Sequence, residues 1–142
     1  HGDALHLTPV LGRFVTRHFT AMNDPSSLVI PIPLHRRRYL LRQYNQSAEL
    51  ARWLVKSGAF APNMLQRRHH NKNQAGLSHL QRKKNVAGIF SVPSKYRDIL
   101  SGRPVILVDD VMASGATLAA AARCLLAAGS GPVKGLVVAR VL

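Results

Sequence analysis

The chain has 142 residues, 46% of them hydrophobic, enough for a single domain with one core, and 20 Lys and Arg against 6 Asp and Glu give a formal net charge of +14. Apolar runs are short and broken by Gly, Pro or charge, which excludes a membrane-spanning helix, and the start His1-Gly2-Asp3 lacks the basic and apolar regions of a secretory signal, so a cytoplasmic protein is expected. A lone Cys124 excludes a disulfide framework, and the basic excess points to an anionic partner, while leaving a solvated, solubilising face as the competing explanation.

In chain order, Thr8-Pro9 is an N-cap followed by a first-turn proline, and Leu11, Phe14, Val15, His18 and Met22 recur at helical spacing, which predicts an amphipathic helix ending near Asn23. Leu28 to Leu34 is a short apolar run whose Pro31 and Pro33 make it a strand that soon leaves its sheet. A loop follows with the cluster Arg36, Arg37, Arg38 and Arg42. A second helix is expected to start at Asn45 or Ser47, to bury Leu50, Ala51, Trp53 and Leu54, and to stop at Gly58.

Asn63 to Arg67 reads as a weak strand, and Arg68 to Asn85, rich in Asn, Gln, His, Lys and Arg, as an exposed arm. His69-His70 in that arm lacks further ligands at metal-binding spacing. Ala87 to Val92 is predicted as a strand, Ser94 to Leu100 as a short helix, and Arg103 to Asp109 as a strand buried on both faces. Thr117 to Ala128 then forms a helix closed by Gly129, and Val133 to Val141 a last strand. Strands alternating with helices predict an α/β fold, a mostly parallel central sheet covered on both faces, within one domain over residues 1–142.

Two of the six carboxylates, Asp109 and Asp110, stand together where the buried strand emerges, a costly placement because like charges repel and a sheet end is partly desolvated. Open α/β sheets bind ligands at the C-terminal ends of their strands. Directly afterwards, Val111-Met112-Ala113-Ser114-Gly115-Ala116-Thr117 leads into a helix, so several amides and two hydroxyls can converge on an anion. Acceptors for sugar hydroxyls beside a phosphate cradle describe a ribose 5-phosphate pocket. A response-regulator receiver needs a further aspartate, yet no Asp or Glu follows Asp110; a Walker-type nucleotide hydrolase needs a Gly-Lys-Ser/Thr loop, and the chain has none. A strand end with a solvated acidic turn accounts for any one of these residues but poorly for the combination.

The segment Val105 to Leu118 closely resembles the phosphoribosyl-pyrophosphate (PRPP) motif of type I phosphoribosyltransferases. The chain also resembles one branch, the ComF/GntX family: in His1-Gly2-Asp3, in Pro31-Ile32-Pro33-Leu34-His35 with Arg38, in Asn45-Gln46, and in Gln74, Leu77, Arg82, Asn85, Gly88 and Phe90. It departs from the branch at Ser114, where a threonine is usual, at Asn71 and Asn73, and in lacking the Cys-rich zinc ribbon that commonly precedes the domain; no protein-bound zinc is expected.

The resemblance implies that Asp109 and Asp110 bind the ribose 2′- and 3′-hydroxyls and that Val111 to Thr117 holds the 5′-phosphate. It places pyrophosphate, bridged by Mg²⁺, near His35, Arg36, Arg37 and Arg38, and makes the arm with Arg67, Arg68, Gln74, Arg82 and Asn85 a flexible cover. Displacement of pyrophosphate from the anomeric carbon builds negative charge on the leaving group, which cations there would stabilise. Two functions follow as expectations: a phosphoribosyltransferase-like protein taking PRPP or a nucleotide monophosphate, compatible with a homodimer, or a non-catalytic competence-type accessory protein that binds single-stranded DNA through its basic surface.

Overall fold

Val105-Ile106-Leu107-Val108 is at most 1% exposed at every position, and the rest of the architecture is arranged around it. The computed structural model describes residues 16–17, 19–20, 24–34, 45–55, 59–68, 88–112 and 114–140. Within them run β1 (Leu28–Pro31), α1 (Gln46–Leu54), β2 (Gln66–Arg67), β3 (Phe90–Ser91), a 3-10 turn (Ser94–Tyr96) leading into α2 (Arg97–Leu100), β4 (Val105–Met112), α3 (Ala116–Ala127) and β5 (Val133–Arg140).

β4 lies between β1 and β5, parallel to both, with Leu28 opposite Val105 and Val105 opposite Val133. On the outer side of β1 the chain at Phe60 makes a further parallel bridge with Val29. Side chains on successive strand residues point to opposite faces, and two core clusters divide accordingly. Leu28, Ile30, Val105 and Leu107 pack with Ala120, Ala121 and Leu125 of α3 and with Leu65 and Phe90. Val29, Ile106, Val108 and Leu136 pack with Leu50, Ala51 and Leu54 of α1 and with Phe19. The sheet is therefore covered on both faces, as the unbroken apolar run requires.

The α/β, mostly parallel fold read from the sequence is the one observed, with differences in detail. β4 runs on to Met112, past the expected end at Asp109, because β5 is long enough to pair with it as far as Met112 opposite Arg140. The weak strand 63–67 is only Gln66–Arg67, and the strand 87–92 only Phe90–Ser91; the two pair antiparallel, apart from the main sheet. Trp53, expected in the core, is 51% exposed. Ser47, Leu50, Ala51 and Leu54 form the buried stripe of α1, the i, i+3, i+4, i+7 pattern, and Trp53 falls outside it.

α3 ends as expected. Gly129 takes a left-handed φ of 101°, and the amides of Ala128, Gly129 and Ser130 turn back on the carbonyls of Leu125 and Leu126. Cys124 packs half-buried against the first cluster, and burial pushes its thiol up, away from reactivity. Most of the expected helix 8–23 and the stop at Gly58 lie outside the described residues; Thr16, Arg17, Phe19 and Thr20 are helical. No helix among the described residues is long and apolar enough to cross a membrane.

Candidate functional site

Three segments meet at the C-terminal end of the parallel sheet. The first is the exit of β1, where the Ile32 amide still donates to the Val108 carbonyl at 2.9 Å before the chain leaves the sheet. The second is the start of α1. Asn45 caps that helix, its side-chain oxygen accepting from the amides of Ser47 at 3.0 Å and Ala48 at 3.3 Å, while its amide nitrogen donates to the Ile32 carbonyl at 3.1 Å. One side chain thus caps the helix and ties it to the end of β1. Asn45→Ala is expected to lower stability by about 1 kcal/mol, the usual worth of a cap, read as a lower urea midpoint at unchanged m-value.

The third segment is the end of β4. Asp109 Oδ1 accepts from the Asp110 amide at 3.0 Å and from the hydroxyl of Ser47, 1% exposed, at 3.3 Å; Asp110 Oδ1 accepts from the Val111 amide at 3.0 Å. Burial pushes the Asp109 carboxyl up to about 6, and the adjacent Asp110 carboxyl adds to the rise, against the pull of the Asp110 amide and the Ser47 hydroxyl. Among the described residues, no cation acts on Asp109. A partly desolvated carboxylate beside a second one is a standing acceptor for hydroxyl donors.

Beyond Met112 the backbone turns into α3. Gly115 takes a left-handed φ of 76° at the helix N-cap, a conformation that costs other residues about 1–2 kcal/mol. Ser114 Oγ accepts from the Ala116 amide at 3.3 Å, so a side chain already holds the first helical amide, while Gly115 at the N-cap has none to offer. A helix of twelve residues therefore begins just past the acidic pair, with Thr117 exposed in its first turn.

Of the residues singled out in the sequence, the structure brings Asp109, Asp110, Ser114, Gly115, Ala116 and Thr117 to one end of the sheet. Val111 and Met112 belong to the strand, paired with Ala139 and Arg140, and the Met112 sulfur lies under Gly115 at 3.4 Å from where a Cβ would stand. Ala113, His35, Arg36, Arg37, Arg38, Gln74, Arg82 and Asn85 lie outside the described residues. Arg67 stacks on the Phe90 ring at 5.7 Å, and the Arg68 amide donates to the Ile89 carbonyl at 2.6 Å, so the chain enters and leaves the 69–87 segment at one place.

Sequence reasoning named Ser47 only as an alternative start for the second helix, a place that Asn45 takes, and not as a site residue. Its signal was positional: it sits three and four residues before Leu50 and Ala51, on the buried stripe of α1. A polar residue on such a stripe needs a partner. A separate depression lined by Phe60, Met64, Tyr96, Ile99 and Arg103 lies by Leu28, at the opposite end of β1.

No protein-family model matches the chain. It is 31% identical over 122 residues, 83% of its length, to the DNA utilization protein YhgH of Escherichia coli K12, and to the same extent to that of Shigella flexneri. With the competence protein ComFC of Bacillus subtilis it is 28% identical over 130 residues, 90% of its length. These alignments take in 51% and 50% of the relatives, so the chain spans about half the length of the curated proteins it matches. Over most of its own length, then, this chain is a homologue of bacterial proteins named for DNA utilization and for competence.

Proposed function

We propose that the chain serves the use of external DNA and does so with a pocket for a phosphorylated ribose. The first half of the reading rests on the names of its relatives, YhgH and ComFC. The second rests on one observation: an acidic pair whose Asp109 is partly buried with its proton affinity raised, followed at once by a left-handed Gly115 at the N-terminus of α3.

In this reading Asp109 and Asp110 accept from the ribose 2′- and 3′-hydroxyls, and the amides and hydroxyls from Ser114 to Thr117 bind the 5′-phosphate. The finer form, following the resemblance to type I phosphoribosyltransferases, is transfer of a phosphoribosyl group from PRPP with release of pyrophosphate. The anomeric C–O bond to pyrophosphate breaks, an acceptor nucleophile forms the new bond, and the leaving group departs with its electron pair. His35, Arg36, Arg37 and Arg38 are the proposed pyrophosphate side. Magnesium would enter with the substrate and would supply charge neutralisation on the pyrophosphate.

Thermal melting with and without PRPP and Mg²⁺ tests the pocket. The melting temperature is expected to rise by several degrees at a hundredfold excess over Kd, where linkage supplies about 2.7 kcal/mol. The doubly substituted Asp109→Asn, Asp110→Asn protein is expected to show no rise. A flat response of the parent protein would exclude the pocket. 2-Deoxyribose 5-phosphate is expected to bind more weakly than ribose 5-phosphate, because a carboxylate placed for the 2′-hydroxyl is left without its donor.

A second reading, a non-catalytic DNA-binding accessory, is favoured by the charge of +14 and by the same relatives. Single-stranded DNA is then expected to bind at low salt, with affinity falling steeply as salt rises. Neutralising arm cations should abolish that binding and the aspartate substitutions should not. No anisotropy change at low salt would rule this reading out.

A further inference from the structure

Asp109 is held from two directions by groups of different kinds. One is its neighbour's amide, which any strand end can supply; the other is a side chain from a separate element, 62 residues away in sequence. Ser47 is 1% exposed, and only one other polar side chain among the described residues, Ser27, is equally buried. The amides of Ser47 and Ala48 are already taken by the Asn45 side chain, and that of Glu49 by the Asn45 carbonyl. At the start of α1 it is the Ser47 hydroxyl that reaches the carboxylate. The helix cannot slide away from it, because Asn45 also grips Ile32 at the end of β1, and Leu50, Ala51 and Leu54 key the helix into the sheet.

We propose that Ser47 is a positioning residue for Asp109: its buried hydroxyl fixes one carboxylate oxygen toward α1 and so presents the remainder of the group to a ligand at the end of β4. A serine deep on an apolar helix stripe is otherwise an expensive choice, since alanine would fill the same place without a polar atom to satisfy. The separation of 3.3 Å is at the long end for such a bond. A donor on the ionised carboxylate also favours ionisation, which opposes the burial that pushes Asp109 up. The ligand half of this inference rests on the ribose-phosphate reading; the hold of Ser47 on Asp109 does not.

The experiment has two arms in the same proteins: parent, Ser47→Ala and Ser47→Thr. The first follows the side-chain carboxyl carbons by NMR as a function of pH, which is tractable because the chain has only five aspartates. The Asp109 midpoint is expected to rise by about one unit in Ser47→Ala and to return toward the parent in Ser47→Thr, which restores the hydroxyl. The second arm titrates ribose 5-phosphate without metal. Ser47→Ala is expected to bind about fivefold more weakly than the parent at pH 6, with the gap closing below about twofold at pH 8.5, where both carboxylates are ionised.

An unchanged midpoint in Ser47→Ala overturns the proposal, as does a loss of affinity equal at every pH, which is the mark of a packing defect. If Ser47→Ala does not fold, Ser47→Thr decides alone: a parent-like midpoint upholds the hydroxyl's role, and a raised midpoint in a folded protein overturns it. Should the parent not bind ribose 5-phosphate, the proposed pocket fails while the carboxyl titration still decides what Ser47 does.

Discussion

Asp109→Asn is expected to make the ligand-free protein more stable at pH 7 while abolishing its response to ribose 5-phosphate. The folded-state value of about 6 stands above the ordinary 3.8, so between those limits the folded protein retains a proton that the unfolded chain has released. The stability from that retained proton is fully present below pH 3.8 and is lost as pH rises through 6. Above pH 6 the native state carries an ionised, partly desolvated carboxylate beside a second one. Asparagine keeps the shape and removes the charge. The side chain is not fully buried, so solvent screening reduces the expected gain to about 1–2 kcal/mol, or about 3–6 °C in melting temperature. The difference between variant and parent should shrink as pH falls from 7 toward 4. Melting curves across that range, with and without ligand, check both halves; a variant less stable than the parent at pH 7 contradicts the electrostatic account. Stability set against binding in one side chain is the pattern expected of a working site.

Gly131→Ala is expected to be far more damaging than its position in a connecting loop suggests. A Cβ there would stand 2.6 Å from the Gly102 carbonyl oxygen and 3.0 Å and 3.1 Å from the Arg103 carbonyl carbon and oxygen, all backbone atoms. They cannot rotate away. The Gly131 amide donates to the Arg103 carbonyl at 2.8 Å, the Gly102 amide to the Gly129 carbonyl at 2.9 Å, and the Val105 amide to the Pro132 carbonyl at 2.9 Å. These bonds bind the loop before β4 to the loop before β5, so a methyl group must part the chains where both strands begin. A loss of roughly 2–4 kcal/mol is expected, in the range of overpacking combined with broken backbone bonds. Gly88→Ala, where no atom of the described residues lies within 4 Å, is the control and should change the urea midpoint little. Equal midpoints for the two variants would show that the loops yield more easily than their hydrogen bonds suggest.

The elements that could be read in advance share one property: their signal is local. Val105 to Val108 is a continuous apolar run and became the central strand; an alanine-rich run closed by Gly129 became α3. Trp53 misled because hydrophobicity was weighed above spacing. At 3.6 residues per turn, Leu50, Ala51 and Leu54 define a stripe that includes Ser47 and leaves Trp53 outside. The pairing of β2 with β3 could not be read, since each has two residues and the partners, Gln66 and Ser91, stand far apart in the chain. Choice of partner there depends on burial against α3 and not on local preference.

By itself the sequence determined the alternation of strand and helix, the double-sided burial of β4, the end of α3 and the presence of an acidic pair beside a turn of small residues, because each depends on a pattern a few residues long. The tertiary structure decided the strand order β1-β4-β5, the reach of β4 as far as Met112, and above all the environment of Asp109. Its raised proton affinity and its bond to Ser47 arise from desolvation and from a partner 62 positions away. Both are properties of the space around a residue, and that space exists only once the chain has closed on itself.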